Sequence, residues 1–114
     1  MEDLATSYEQ KIASGIINPP TWCVNHGMTT SMYYADPDGN GVETQVDNFD
    51  TAEECMSFIS SESFATNSIG VDYDPKEFVQ RVRNGDDQAV LKKRPDIGPR
   101  KTRDENTRTV LSVA

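Results

Sequence analysis

Residues 26–47 read HGMTTSMYYADPDGNGVETQVD, and the fold turns on how this stretch is paired. Residues 29–35 (TTSMYYA) are rich in Thr and Tyr, which favour strands. Residues 36–40 (DPDGN) are a turn signal, because Pro fixes φ while Gly and Asn tolerate positive φ. Residues 41–46 (GVETQV) alternate and read as the return strand. With a five-residue loop, Ala35 faces Gly41, Tyr34 faces Val42, Tyr33 faces Glu43 and Ser31 faces Gln45. One face then carries Ser31, Tyr33, Glu43 and Gln45, and the other Met32, Tyr34, Val42, Thr44 and Val46. The second face is the one to pack on a helix. If residues 27–30 form the preceding loop, His26 faces Ser31 and joins Tyr33 and Glu43. A slip of one residue in either register would reverse these assignments.

The flanks read as helices around this hairpin. Residues 3–15 (DLATSYEQKIASG) place Leu4, Tyr8 and Ile12 on one stripe, and Gly15 can close the helix in the left-handed region. Residues 21–26 (TWCVNH) form a short strand. Thr51 and Glu54 stand at capping-box spacing before a helix whose apolar face is Ala52, Cys55, Phe58 and Ile59. Asp74, Pro75, Glu77 and Gly85 fit the N-cap, N1, N3 and C′ positions of another, with Phe78, Val79 and Val82 as its stripe. The fold class expected is therefore α+β, a short antiparallel sheet with flanking helices.

The totals narrow the possibilities. At 114 residues the chain is one domain at most, and a mean hydropathy of −0.66 is low for a self-sufficient core. A net charge of −8 argues against nucleic acid and anionic membrane surfaces as partners. Lys92, Lys93, Arg94, Arg100, Lys101, Arg103 and Arg108 concentrate the basic charge at the end, which reads as a solvated tail. Residues 1–90 are expected to form the folded module with C-terminal helices, and residues 91–114 a basic, mostly disordered extension, above all after Pro99. Cys23 and Cys55 are far apart and in no metal spacing. With no signal peptide or membrane-length apolar run, a cytoplasmic protein with thiols as core filler is expected.

Three readings of residues 26–47 stand side by side. Residues 36–47 match a calcium loop at Asp36, Asp38, Asn40 and Gly41, with Asp47 at position 12. Against that, Pro37 and Glu43 are out of place and a strand precedes the loop where a helix is needed. The plainest reading is a polar hairpin with a solvated Glu and a structural His.

The third is a resemblance. NHGMTTSMYYADPDGNGVETQVDNF, residues 25–49, resembles the C-terminal signature of the vicinal oxygen chelate superfamily, which includes glyoxalases, bleomycin-resistance proteins and extradiol ring-cleaving dioxygenases. It is most like the extradiol pattern. FATNSIGVDYDP (residues 64–75) and RPDIGPR (residues 94–100) resemble its biphenyl-2,3-diol 1,2-dioxygenase-like branch. The likeness covers about residues 5–100.

It implies an incomplete βαβββ glyoxalase-like module. Glu43 matches the carboxylate metal ligand, Tyr33 the tyrosine that orients substrate, and His26 the histidine that handles a proton. The His-to-Glu spacing is two residues shorter than in ring-cleaving members. The implied function is metal-dependent cleavage of an aromatic diol, in aromatic catabolism or natural-product biosynthesis. The implied cofactor is a divalent metal, Fe(II) first, with Mn or Zn as alternatives and none if the module is degenerate. Such sites take two His and one carboxylate, and this chain has one His. The missing ligands would come from a homo-oligomer or a partner chain, the chain being truncated or a half-site. A catalytically silent glyoxalase-like binding module is the alternative.

Overall fold

The computed structural model describes residues 1–15 and 18–103. Among these the chain forms five helices and a four-stranded antiparallel sheet. Helix α1 (Glu2–Ser14) ends at Gly15, whose φ of 70° gives the left-handed closure expected of it. Strands β1 (Trp22–Asn25), β2 (Thr29–Ala35) and β3 (Gly41–Asp47) follow, then α2 (Ala52–Ile59), α3 (Glu62–Thr66), β4 (Val71–Asp72), α4 (Pro75–Arg83) and α5 (Gln88–Lys92). The spatial order is β3-β2-β1-β4. This is the α+β class expected, and it is consistent with part of a glyoxalase-like module.

The central hairpin pairs as its alternation dictates. Tyr33 faces Glu43, Tyr34 faces Val42, Ala35 faces Gly41 and Ser31 faces Gln45. Asp36 organises the turn: its Oδ1 accepts from the backbone N–H groups of Asp38 (3.0 Å) and Asn40 (2.7 Å). Strands flank that loop on both sides, the arrangement of a hairpin and not of a helix–loop–helix calcium site.

The β1–β2 register corrects one expectation. Val24, not His26, pairs with Ser31, and His26 N–H donates to Thr29 O at 2.8 Å. The turn is only Gly27 and Met28. Because the shift is two residues, parity is kept and His26 stays on the Tyr33 side.

One sheet face builds the core. Cys23, Met32 and Tyr34 pack with Leu4, Ala5 and Tyr8 of α1, Phe78 and Val82 of α4, Tyr73 and Leu91. The helix caps are local. Thr51 accepts from Glu54 N–H at 3.1 Å, and Asp74 accepts from Lys76 N–H at 2.8 Å before Pro75. Two apolar positions differ from expectation. Ile12 is exposed at the end of α1, and no residue of α2 is fully buried. Helix α2 packs on α3 and reaches the domain through Phe58, which meets Phe49 and Phe64.

The C-terminal basic run also differs. Residue 90 falls inside α5, and Arg94 donates to Asn67 O (2.7 Å) and Ser63 O (3.1 Å) with its guanidinium over Phe58. Arg100, beyond Pro99, is fully buried and ion-paired with Asp72 at 2.8 Å. A carboxylate on β4 gives the Arg100 cation its partner. Residues 104–114 of the expected extension lie outside the described residues.

Candidate functional site

Strand alternation puts Trp22 and Val24 of β1, Ser31 and Tyr33 of β2, and Glu43 and Gln45 of β3 on the face opposite the core. Two rungs cross the sheet there: Trp22–Tyr33–Glu43 and Val24–Ser31–Gln45. His26, just past β1, continues the same side. The three residues singled out from the sequence are therefore brought together. His26 and Tyr33 are half-buried, and Glu43 is exposed at the outer strand.

His26 Nε2 lies 2.9 Å from the Tyr33 hydroxyl, and its Nδ1 lies 2.6 Å from Ile69 O. A carbonyl only accepts, so Nδ1 carries a proton. In the neutral ring Nε2 is then the acceptor, and the phenol can donate to it. Burial first, then the adjoining Glu43 carboxylate, push the Tyr33 phenol up to about 12, while the Arg103 cation pulls the other way. The phenol donates to the His26 ring, and the Glu43 carboxylate belongs to the residue across from Tyr33 on the next strand.

Residues not foreseen as site residues surround it. Trp22 stacks on Tyr33 with ring centroids 5.0 Å apart and planes at 21°, and meets His26 edge-on at 5.8 Å. Its indole N–H donates to Asp72 Oδ1 at 2.9 Å. The Arg103 guanidinium lies 4.7 Å over the indole. Ser31 is fully buried on this face, its hydroxyl without a hydrogen-bond partner. Trp22 shares the parity of His26 on β1, a signal already present in the sequence. Asp72, Arg100 and Arg103 arrive through long-range packing, which no spacing announces.

The fit to a metal is partial. Among the described residues no group of three or more His, Cys, Asp or Glu side chains could hold a metal ion. Both His26 nitrogens already have partners, which leaves Glu43 as the one candidate ligand here. An open groove of about 620 Å³ lined by Asn48, Phe49, Lys92 and Lys93 among others includes none of the three site residues. Among the described residues no helix is long and apolar enough to cross a membrane.

The chain is similar to two proteins of Rhodococcus globerulus. It is 41% identical to biphenyl-2,3-diol 1,2-dioxygenase 2 over 83 residues, 73% of this chain and 43% of that protein. It is 40% identical to biphenyl-2,3-diol 1,2-dioxygenase 3 over 89 residues, 78% of this chain and 46% of that protein. The chain thus spans less than half the length of these curated relatives. No family model and no solved structure matches it. The two likenesses support an extradiol dioxygenase-like relationship.

Proposed function

We propose that the chain is the part of an extradiol-type ring-cleaving dioxygenase that carries the carboxylate metal ligand and the proton-handling pair. The observation that carries this reading is that Glu43 stands across from Tyr33 on one sheet face, with Tyr33 hydrogen-bonded to His26. The identity to two biphenyl-2,3-diol dioxygenases supports it and suggests an aromatic diol as substrate.

In this reading Glu43 supplies one ligand to a divalent metal, Fe(II) first. Histidine ligands come from a second copy, a partner chain or residues beyond these. The metal's contribution when bound is to gather the diol and dioxygen at adjoining positions. This chain's residues do the rest at defined atoms. Tyr33 stays protonated, donating to His26 while its oxygen accepts from a hydroxyl of the diol and so orients it. Neutral His26 accepts a proton at Nε2, held in that tautomer by the Ile69 carbonyl. The half-buried ring system of Trp22 and Tyr33 walls the site on one side.

A second reading has its own support. The single carboxylate, with no converging His, Cys, Asp or Glu group among the described residues, suits a catalytically silent module that binds an aromatic molecule.

Metal content and native mass separate the two, measured on anaerobically purified protein beside Glu43→Gln. The enzyme reading expects about one iron per assembled site, lost in the variant, and a mass above the monomer. Catechols would then be assayed on that assembly. A metal-free chain would overturn the reading and leave the silent module.

A further inference from the structure

We propose that Trp22 is a positioning residue for the Tyr33 phenol, and that Asp72 and Arg100 hold the indole in that role. The proposal rests on the reading of His26 and Tyr33 as site residues. The phenol oxygen must stay within hydrogen-bond reach of His26 Nε2, yet the ring is only half-buried and turns about two side-chain bonds. The stacked indole limits that turning, because it lies nearly parallel to the phenol at 5.0 Å.

The indole is itself half-buried, and something must hold its plane. Its N–H donates to the Asp72 carboxylate, a charge-assisted bond with a defined direction. Asp72 in turn is held by Arg100 Nη1 at 2.8 Å. Arg100 is fixed: it is fully buried, and it also donates to the carbonyls of Gly70, Thr102 and Arg103. The Arg103 guanidinium lies over the indole and donates to Thr21 O at 3.2 Å. The C-terminal segment thus reaches the proton-handling pair through one unbroken series of contacts, Arg100–Asp72–Trp22–Tyr33–His26.

The chain contains a single His, so its ring nitrogens give unambiguous signals. The experiment is side-chain ¹⁵N NMR of His26 in the full-length, metal-free protein, in mildly alkaline buffer. Tyr33→Phe supplies the reference position for a lost Nε2 hydrogen bond. The expected result is that Trp22→Leu moves the Nε2 resonance most of the way to that reference, and that Arg100→Lys moves it in the same direction by less. A folded Trp22→Leu with Nε2 at the wild-type position would overturn the proposal, since a core-filling tryptophan lowers the melting temperature without releasing the phenol. Should Trp22→Leu fail to fold, Trp22→Phe and Asp72→Asn decide: a wild-type Nε2 position in both overturns it, and a shift in either supports it. Because no metal is needed, this outcome is independent of whether Glu43 binds one.

Discussion

Tyr33 shows how one residue acquires a role from its neighbours. Burial and the adjoining Glu43 hold its phenol up near 12, so below about pH 10 it acts as a donor and not as a base. The tyrosinate absorbance of wild type and Tyr33→Phe should therefore coincide up to about pH 10 and separate only above it. A separation near pH 9 would mean that the phenol is not held as described. In an assembled, metal-loaded enzyme, Tyr33→Phe should lower kcat on a catechol by about 10²-fold while sparing metal content. Glu43→Gln should do the opposite and remove the metal itself. Analysing both variants for metal and turnover separates ligand from donor.

At the scale of elements, the caps and turns are local, whereas the site is set by how β1 and β4 meet. Gly70 has φ of 134°, and a Cβ there would sit 2.5 Å from Asn25 O. Gly70→Ala should cost at least ~2 kcal/mol, because both the backbone angle and the strand contact must give. Denaturant unfolding would measure it. Asp74→Ala removes an exposed cap from the start of α4 and should cost only ~1 kcal/mol. Arg100→Ala should cost ~3 kcal/mol, because it leaves the Asp72 carboxylate, largely buried, without its cation. If thermal melting shows no difference, the C-terminal segment is not part of the cooperative unit.

The molecule as a whole keeps several acidic protons in its core. The Cys23 thiol is pushed up to about 12 by burial first and then by Asp74 and Asp72, and burial chiefly raises Tyr34 to about 12 and Tyr73 beyond the ordinary value. A raised folded pKa stabilises fully below the unfolded pKa, and that stability is lost as pH rises through the folded value. Unfolding free energy should thus hold steady to about pH 9, where the unfolded thiol ionises, then fall steeply towards 12. Cys23→Ala should delay the onset of that fall towards pH 10, where tyrosines begin to contribute. Equilibrium unfolding across pH 7–12 tests both the direction and the window.

The hairpin was legible because strand parity and a strong turn are local: Tyr33 opposite Glu43 follows from residues 26–47 alone. His26 reached the correct face from the wrong loop length, since an even shift preserves parity. The capped starts of α2 and α4 were equally readable, because a cap needs only its own next few residues. Short α3, two-residue β4 and α5 lacked enough periodicity to announce themselves. What only the tertiary structure decided is the surround of the site. Ile69 O sets the His26 tautomer, Trp22 lies against Tyr33, and Arg100 is buried on Asp72. These contacts join residues distant in the chain. A basic run looks solvated until a carboxylate across the fold gives one of its cations a partner that replaces water.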